Sequence, residues 1–166
     1  YNLSIQEGKT LYLCLNGHTL NLGQYFIWVG REGATLYLCD CSAQKTGTVS
    51  GGSNRCINVD DTINYNATFN MYGGTLRDGN RSSGGGVDVE IGTMNMYGGT
   101  ITGNQSNTSR GGGVYVYGGT FNMYGGSITG NKNNSFAGGI YNSNILNITE
   151  GIIGGNSSRY GGGVYN

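Results

Sequence analysis

Residues 87–104 read Val-Asp-Val-Glu-Ile-Gly-Thr-Met-Asn-Met-Tyr-Gly-Gly-Thr-Ile-Thr-Gly-Asn, and the stretch returns, edited, over 114–131 and more loosely over 140–156. An earlier copy runs over 57–80. The leading valine or isoleucine recurs at Ile57, Val87, Val114, Ile140 and Val164, in steps of 30, 27, 26 and 24 residues. A unit of that length is one supersecondary element that cannot bury its own apolar face, so it must stack on its neighbours.

Each copy holds three short runs in which apolar and polar residues alternate: 114–116, 121–124 and 127–129 in the clearest one. Period-two alternation is the pattern of a half-buried strand. Gly-Gly, Gly-Asn and Gly-Gly-Gly separate the runs, residue types that accept the positive φ of turns. Three strands and three turns per repeat predict an all-β chain, a right-handed parallel β-helix of about six coils with 24–33 residues each. The 34 glycines have no three-residue period and proline is absent, which excludes collagen.

Outside the clear copies, Leu11 and Leu36 open equivalent Leu-Tyr-Leu-Cys runs that match the run from Phe69. Residues 1–10 read as an irregular lead-in that caps the first coil. Register then predicts three inward ladders. They are Leu11, Leu36, Phe69, Met94, Phe121, Leu146; Leu20, Val49, Leu76, Ile101, Ile128, Ile153; and Ile27, Ile57, Val87, Val114, Ile140, Val164. Asn80, Asn104, Asn131 and Asn156 close the third strand at one turn, where stacked amides bond along the axis.

The 166 residues fit one domain spanning 1–166. Nine basic residues balance nine acidic ones, so there is no basic stripe for a nucleic acid. No run is long enough to span a membrane. The chain reads as a module of a longer secreted polypeptide, whose leader would lie elsewhere. Unpaired strand edges at the ends of the β-helix suit a homodimer or a further segment of the parent chain.

Function would lie on the outward rows. One face carries Trp28, Asn58, Asp88, Tyr115, Tyr141 and Tyr165, flanked by Asp60, Glu90 and Tyr117. Tyrosine offers a flat apolar ring with a polar tip, which suits the C–H faces and hydroxyls of a sugar chain. Tyr115, Tyr117, Tyr141 and Tyr165 are therefore the candidate stacking residues, with Asp88, Glu90 and Asp60 accepting sugar hydroxyls. A second aromatic row, Tyr72, Tyr97 and Tyr124, follows the repeat and doubles as scaffold.

The acidic group Asp60, Asp61, Asp88 and Glu90 falls on two adjacent coils. Register places Asp60 beside Glu90. Carboxylates that close raise one another's pKa or hold a cation, calcium being the one they suit. The spacing of a glycosidase pair is compatible, yet register puts no basic residue in the same strand to act as a lyase base. No catalytic residue and no cofactor is assigned. Outward Thr48, Thr75, Thr100 and Ser127 resemble an ice-binding ladder, which Arg77 and Gly154 interrupt. Cys14 and Cys39 share a register and suit a disulfide; Cys41 and Cys56 suit a second, or all four stay reduced.

The run 111–131, Gly-Gly-Gly-Val-Tyr-Val followed by Phe-Asn-Met-Tyr-Gly-Gly-Ser-Ile-Thr-Gly-Asn, resembles the β-helix repeats of large secreted proteins from gut Firmicutes, of the pectate-lyase-like superfold. The early Leu-Cys-Leu-Asn-Gly-His-Thr-Leu at 13–20 is similar to their first coils. Within that group the repeat style most resembles the carbohydrate-binding modules numbered 89, associated with xylan. The resemblance implies a non-catalytic module that binds a plant cell-wall polysaccharide beside an attached hydrolase. It is specific for fold and much less so for function. The clustered Asp with Arg, Lys or His of pectate lyases and polygalacturonases is not matched. The class alternatives are a β-helix hydrolase or lyase using Asp60, Asp88 and Glu90, and a ligand-free surface or adhesin spacer.

Overall fold

The computed structural model describes residues 1–60, 66–108 and 110–166, and among them all regular structure is strand. The strands form three parallel sheets that stack coil on coil, a right-handed parallel β-helix of about six turns. Among the described residues no helix is long and apolar enough to cross a membrane. The first sheet comprises Leu3–Ser4, Ile27–Val29, Ile57–Asp60, Val87–Ile91, Val114–Val116, Ile140–Asn142 and Val164–Tyr165. The second runs from Thr10–Cys14 through Thr35–Cys39, Thr68–Met71, Thr93–Met96 and Thr120–Met123 to Ile145–Ile148. The third includes Thr48–Gly52, Thr75–Arg81, Thr100–Thr102 and Ser127–Thr129.

All three predicted core ladders stand in register. Phe69 pairs with Met94, and Met94 with Phe121. Leu76 pairs with Ile101 and Ile101 with Ile128, while Val87 lies between Ile57 and Val114. These central side chains are fully buried, and burying each one contributes roughly 1.5–3 kcal/mol. The lead-in, expected to be irregular, already contributes Leu3–Ser4 to the first sheet, opposite Ile27 and Trp28. Its backbone thereby covers an edge that would otherwise stay unpaired.

The asparagine ladder is one residue out of place in its first copy. Asn104, Asn131 and Asn156 form it: Asn104 Nδ2 donates to Asn131 Oδ1 at 3.0 Å, and Asn131 Nδ2 to Asn156 Oδ1 at 3.0 Å. Asn80, expected in this row, pairs with Gln105 instead and is exposed. Asp78 adopts φ 61°, the conformation Gly103 and Gly130 adopt at 64° in later coils. Gly79 then falls at the Asn104 position and donates its N–H to Asn104 Oδ1 at 3.0 Å. A side chain at Gly79 would overlap the Gly85 carbonyl, so the amide is supplied by the next coil.

Candidate functional site

Among the described residues the longest aromatic stack lies on the second sheet. Tyr12 stacks on Tyr37 with centroids 4.8 Å apart, Tyr37 on Tyr72 at 6.3 Å, Tyr72 on Tyr97 at 4.7 Å and Tyr97 on Tyr124 at 5.1 Å. The planes are within 19° of parallel throughout. Coil stacking sets this spacing, since equivalent residues of neighbouring coils lie ~4.8 Å apart. Register alone assigns Tyr12 and Tyr37 to a different row, because Tyr37 pairs with Asn70. Their rings nevertheless join those of Tyr72, Tyr97 and Tyr124 in one column.

Tyr12, Tyr72, Tyr97 and Tyr124 are 43 to 75% exposed. Beside them Asn95 Nδ2 donates to Asn70 Oδ1, Asn122 to Asn95 and Asn147 to Asn122, at 2.8–2.9 Å. The inner rings spend their faces on one another and offer edges and hydroxyls outward. Burial, reinforced by Tyr72, Tyr124 and Tyr37, pushes the Tyr97 phenol above the ordinary tyrosine range. The row changes at Thr149, which follows Tyr124 in register, so no further tyrosine stacks beyond Tyr124 in that row.

The first sheet differs from the expected open face. Its outward row is in register: Trp28, Asn58, Asp88, Tyr115, Tyr141 and Tyr165. But Asp88 is 0% and Tyr115 3% exposed, so neither can meet a polymer as expected. The cover comes from the turns that precede each strand. Arg110, immediately before Gly-Gly-Gly, lays its guanidinium 4.8 Å from the Tyr115 ring centroid. Phe136, in the equivalent place one coil on, meets Tyr141 at 6.1 Å and Tyr165 at 4.9 Å. The glycines let this turn stack closely: a Cβ at Gly112 would lie 2.6 Å from the Gly138 carbonyl oxygen. Tyr117 and Tyr165 stay exposed at the margin, and Tyr141 is half-buried.

The acidic group is rearranged as well. A bulge falls between Val89 and Ile91, so Asp60 pairs with Ile91 and not with Glu90. Asp61 lies outside the described residues. The group also has a basic partner that register in the strands does not show. Arg55 arrives from the preceding turn, and its Nη1 lies 2.5 Å from Asn58 Oδ1, 2.7 Å from Asp88 Oδ2 and 2.8 Å from Glu90 Oε1.

One nitrogen with two hydrogens cannot serve three oxygens well, and the contact with Asp88 is off the hydrogen-bond direction. Burial pushes the Asp88 carboxyl up to about 7; Arg55 opposes this and Glu90 adds to it. Arg55 and Asp88 are enclosed while Glu90 stays half-buried at the margin, and the Phe26 ring centroid lies 5.6 Å from the Arg55 guanidinium. Arg110 and Phe136 stand four residues before Val114 and Ile140, a recurrence that was the available sequence signal for this second layer; Arg55, two residues before Ile57, had none.

The cysteines pair differently from the expected bridges. Cys14 is bonded to Cys41, while Cys39 and the buried Cys56 are free thiols. The turn Cys39-Asp40-Cys41 brings Cys41 back over the first coil. Asp40 anchors it by accepting N–H groups of Gly17 at 2.8 Å, Ser42 at 3.1 Å and Gly47 at 2.6 Å. Burial pushes this carboxyl up, but those donors outweigh it and hold it at about 2.

Compared with protein-family models, curated proteins and solved structures, the chain matches none of them. The class defined by the coordinates is the parallel β-solenoid with three strands per coil.

Proposed function

We propose that the protein is a non-catalytic carbohydrate-binding module that lays a plant cell-wall polysaccharide, xylan foremost, along the Tyr12, Tyr37, Tyr72, Tyr97 and Tyr124 column. The observation that carries the reading is the continuous stack of five rings, four of them exposed and Tyr37 half-buried, beside a hydrogen-bonded asparagine row. Contiguous exposed aromatic surface on a soluble protein marks an interaction site. Ring edges meet sugar C–H groups, and phenol and amide groups meet hydroxyls at each coil. Tyr12 and Tyr124, the end rings of the column, each have a face with no ring of the column stacked on it and are the places for face-on stacking. Tyr117 and Tyr165 form a lesser, separate patch.

The module works as a tether in a secreted multidomain enzyme. Holding a hydrolase near its substrate raises effective concentration, so weak binding at each coil suffices. Hydrolysis by Asp88 and Glu90 is the weaker reading, because Asp88 is enclosed and Arg55 engages both carboxylates. Calcium there is disfavoured for the same reason.

The test is affinity electrophoresis against xylans, glucans, pectins and mucin, with and without a chelator, alongside an assay for released reducing sugar. The expected outcome is retardation by xylan, insensitive to chelator, with no sugar released. Sugar release abolished by Glu90→Gln would establish the enzyme, and no retardation by any polymer would favour a spacer.

A further inference from the structure

Three of the four cysteines meet at one surface turn of the first two coils. Cys14 closes a second-sheet strand, Cys39 closes the strand stacked on it, and Cys41 follows two residues later. Their three sulfurs all lie within 4.8 Å of one another. Cys14 and Cys41 are exposed and Cys39 is half-buried.

We propose that Cys14, Cys39 and Cys41 form a thiol–disulfide exchange centre in which Cys39 is the attacking thiol. Three observations carry this. The free Cys39 Sγ lies 3.7 Å from Cys41 Sγ, one of the two bonded sulfurs. The Cys41 backbone N–H points at Cys14 Sγ at 3.2 Å, and so stabilises negative charge on the sulfur that would depart. Asp40, between the two cysteines, is pinned by three backbone N–H groups, which holds both sulfurs of the turn in place.

The step balances internally. Cys39 gives its proton to solvent, and its thiolate attacks Cys41 Sγ. The Cys39–Cys41 bond forms as the Cys14–Cys41 bond breaks. The electron pair leaves on Cys14 Sγ, which then takes up a proton. One disulfide and one thiol exist before and after, so no external oxidant is needed. Before exchange the bond staples coil one to coil two; afterwards it lies within the turn, and no covalent bond between side chains joins the two coils. Cys56 stays outside the exchange: it is buried, and burial pushes its thiol up to about 12.

Trypsin makes the test direct, because Cys14 falls in peptide 10–31, Cys39 and Cys41 share peptide 32–45, and Cys56 lies in peptide 56–77. Intact protein is held for a fixed time between about pH 5 and about pH 8, quenched in acid, labelled with N-ethylmaleimide in denaturant and digested. Label on 56–77 serves as the internal reference. The proposal expects label on 10–31 to rise between the two pH values, because the thiolate and not the thiol attacks, with peptide 32–45 appearing internally bridged. Cys39→Ser should hold that label at background at every pH. Label confined to 32–45 across the range, with 10–31 always linked to it, would overturn the proposal. So would label on 10–31 that persists in Cys39→Ser.

Discussion

The ring of Tyr97 lies 4.7 Å from that of Tyr72 at an angle of 13°, a spacing set by the backbone stacking of their coils. The column therefore ties the side-chain surface to the pitch of the solenoid. Tyr97→Ala removes contacts with both Tyr72 and Tyr124. Each aromatic pair contributes about 0.5–1.5 kcal/mol, so the variant should lose about 1–3 kcal/mol in chemical denaturation. Tyr117→Ala, at the exposed margin of the first sheet, should lose less.

Asn131 is the centre of the inner amide ladder. It accepts the Asn104 N–H at 3.0 Å and donates to the Ile101 carbonyl at 2.9 Å, while almost wholly buried. Asn131→Ala leaves several of these groups unpaired, at about 1–3 kcal/mol each before relaxation. A loss above about 3 kcal/mol is expected in urea unfolding. Asn122→Ala, in the outer row, should cost only about 1 kcal/mol, because its partners reach water.

Acid should expose the role of Asp40. Its folded carboxyl is held at about 2, below the ordinary value near 3.9. Such a group contributes its full stabilisation above the unfolded pKa and loses it as pH falls toward the folded one. Thermal unfolding of the parent should therefore weaken between about pH 4 and about pH 2, and Asp40→Asn should flatten that part of the profile. A parent and variant that weaken in parallel would remove Asp40 from the account.

Asp88 acts with the opposite sign. Its folded carboxyl is raised to about 7, so its contribution is fully present below about pH 4 and is lost as pH rises through 7. Asp88→Asn should flatten the stability profile between about pH 4 and about pH 8. In that variant Arg55 keeps Glu90 as its ion partner. Unchanged pH dependence in thermal melts would mean that Arg55 holds Asp88 charged throughout.

The coil, its three sheets and its core ladders were legible because period-two alternation and a recurring Val or Ile fix both face and register. The slip at Asn80 was hidden because Asp78 takes a backbone conformation that glycine takes in later coils. The burial of Tyr115 and Asp88 was hidden for a different reason. Strand alternation says which side of a sheet a residue faces, not what folds over that side. Arg55, Arg110 and Phe136 come from turns, where strand alternation does not apply. The Cys14–Cys41 bond was missed because register favours Cys39, whereas the Asp40 turn swings Cys41 back over Cys14.

The central claim is that the second-sheet tyrosines hold a polysaccharide. The measurement that tests it most directly is affinity electrophoresis in xylan gels of the parent, the double variant Tyr97→Ala/Tyr124→Ala and the double variant Tyr117→Ala/Tyr165→Ala, with circular dichroism confirming that each is folded. Parent and Tyr117→Ala/Tyr165→Ala should be retarded alike, and Tyr97→Ala/Tyr124→Ala should run as it does without polymer. Retardation that survives in folded Tyr97→Ala/Tyr124→Ala but disappears in Tyr117→Ala/Tyr165→Ala would contradict the account and move the site to the first sheet.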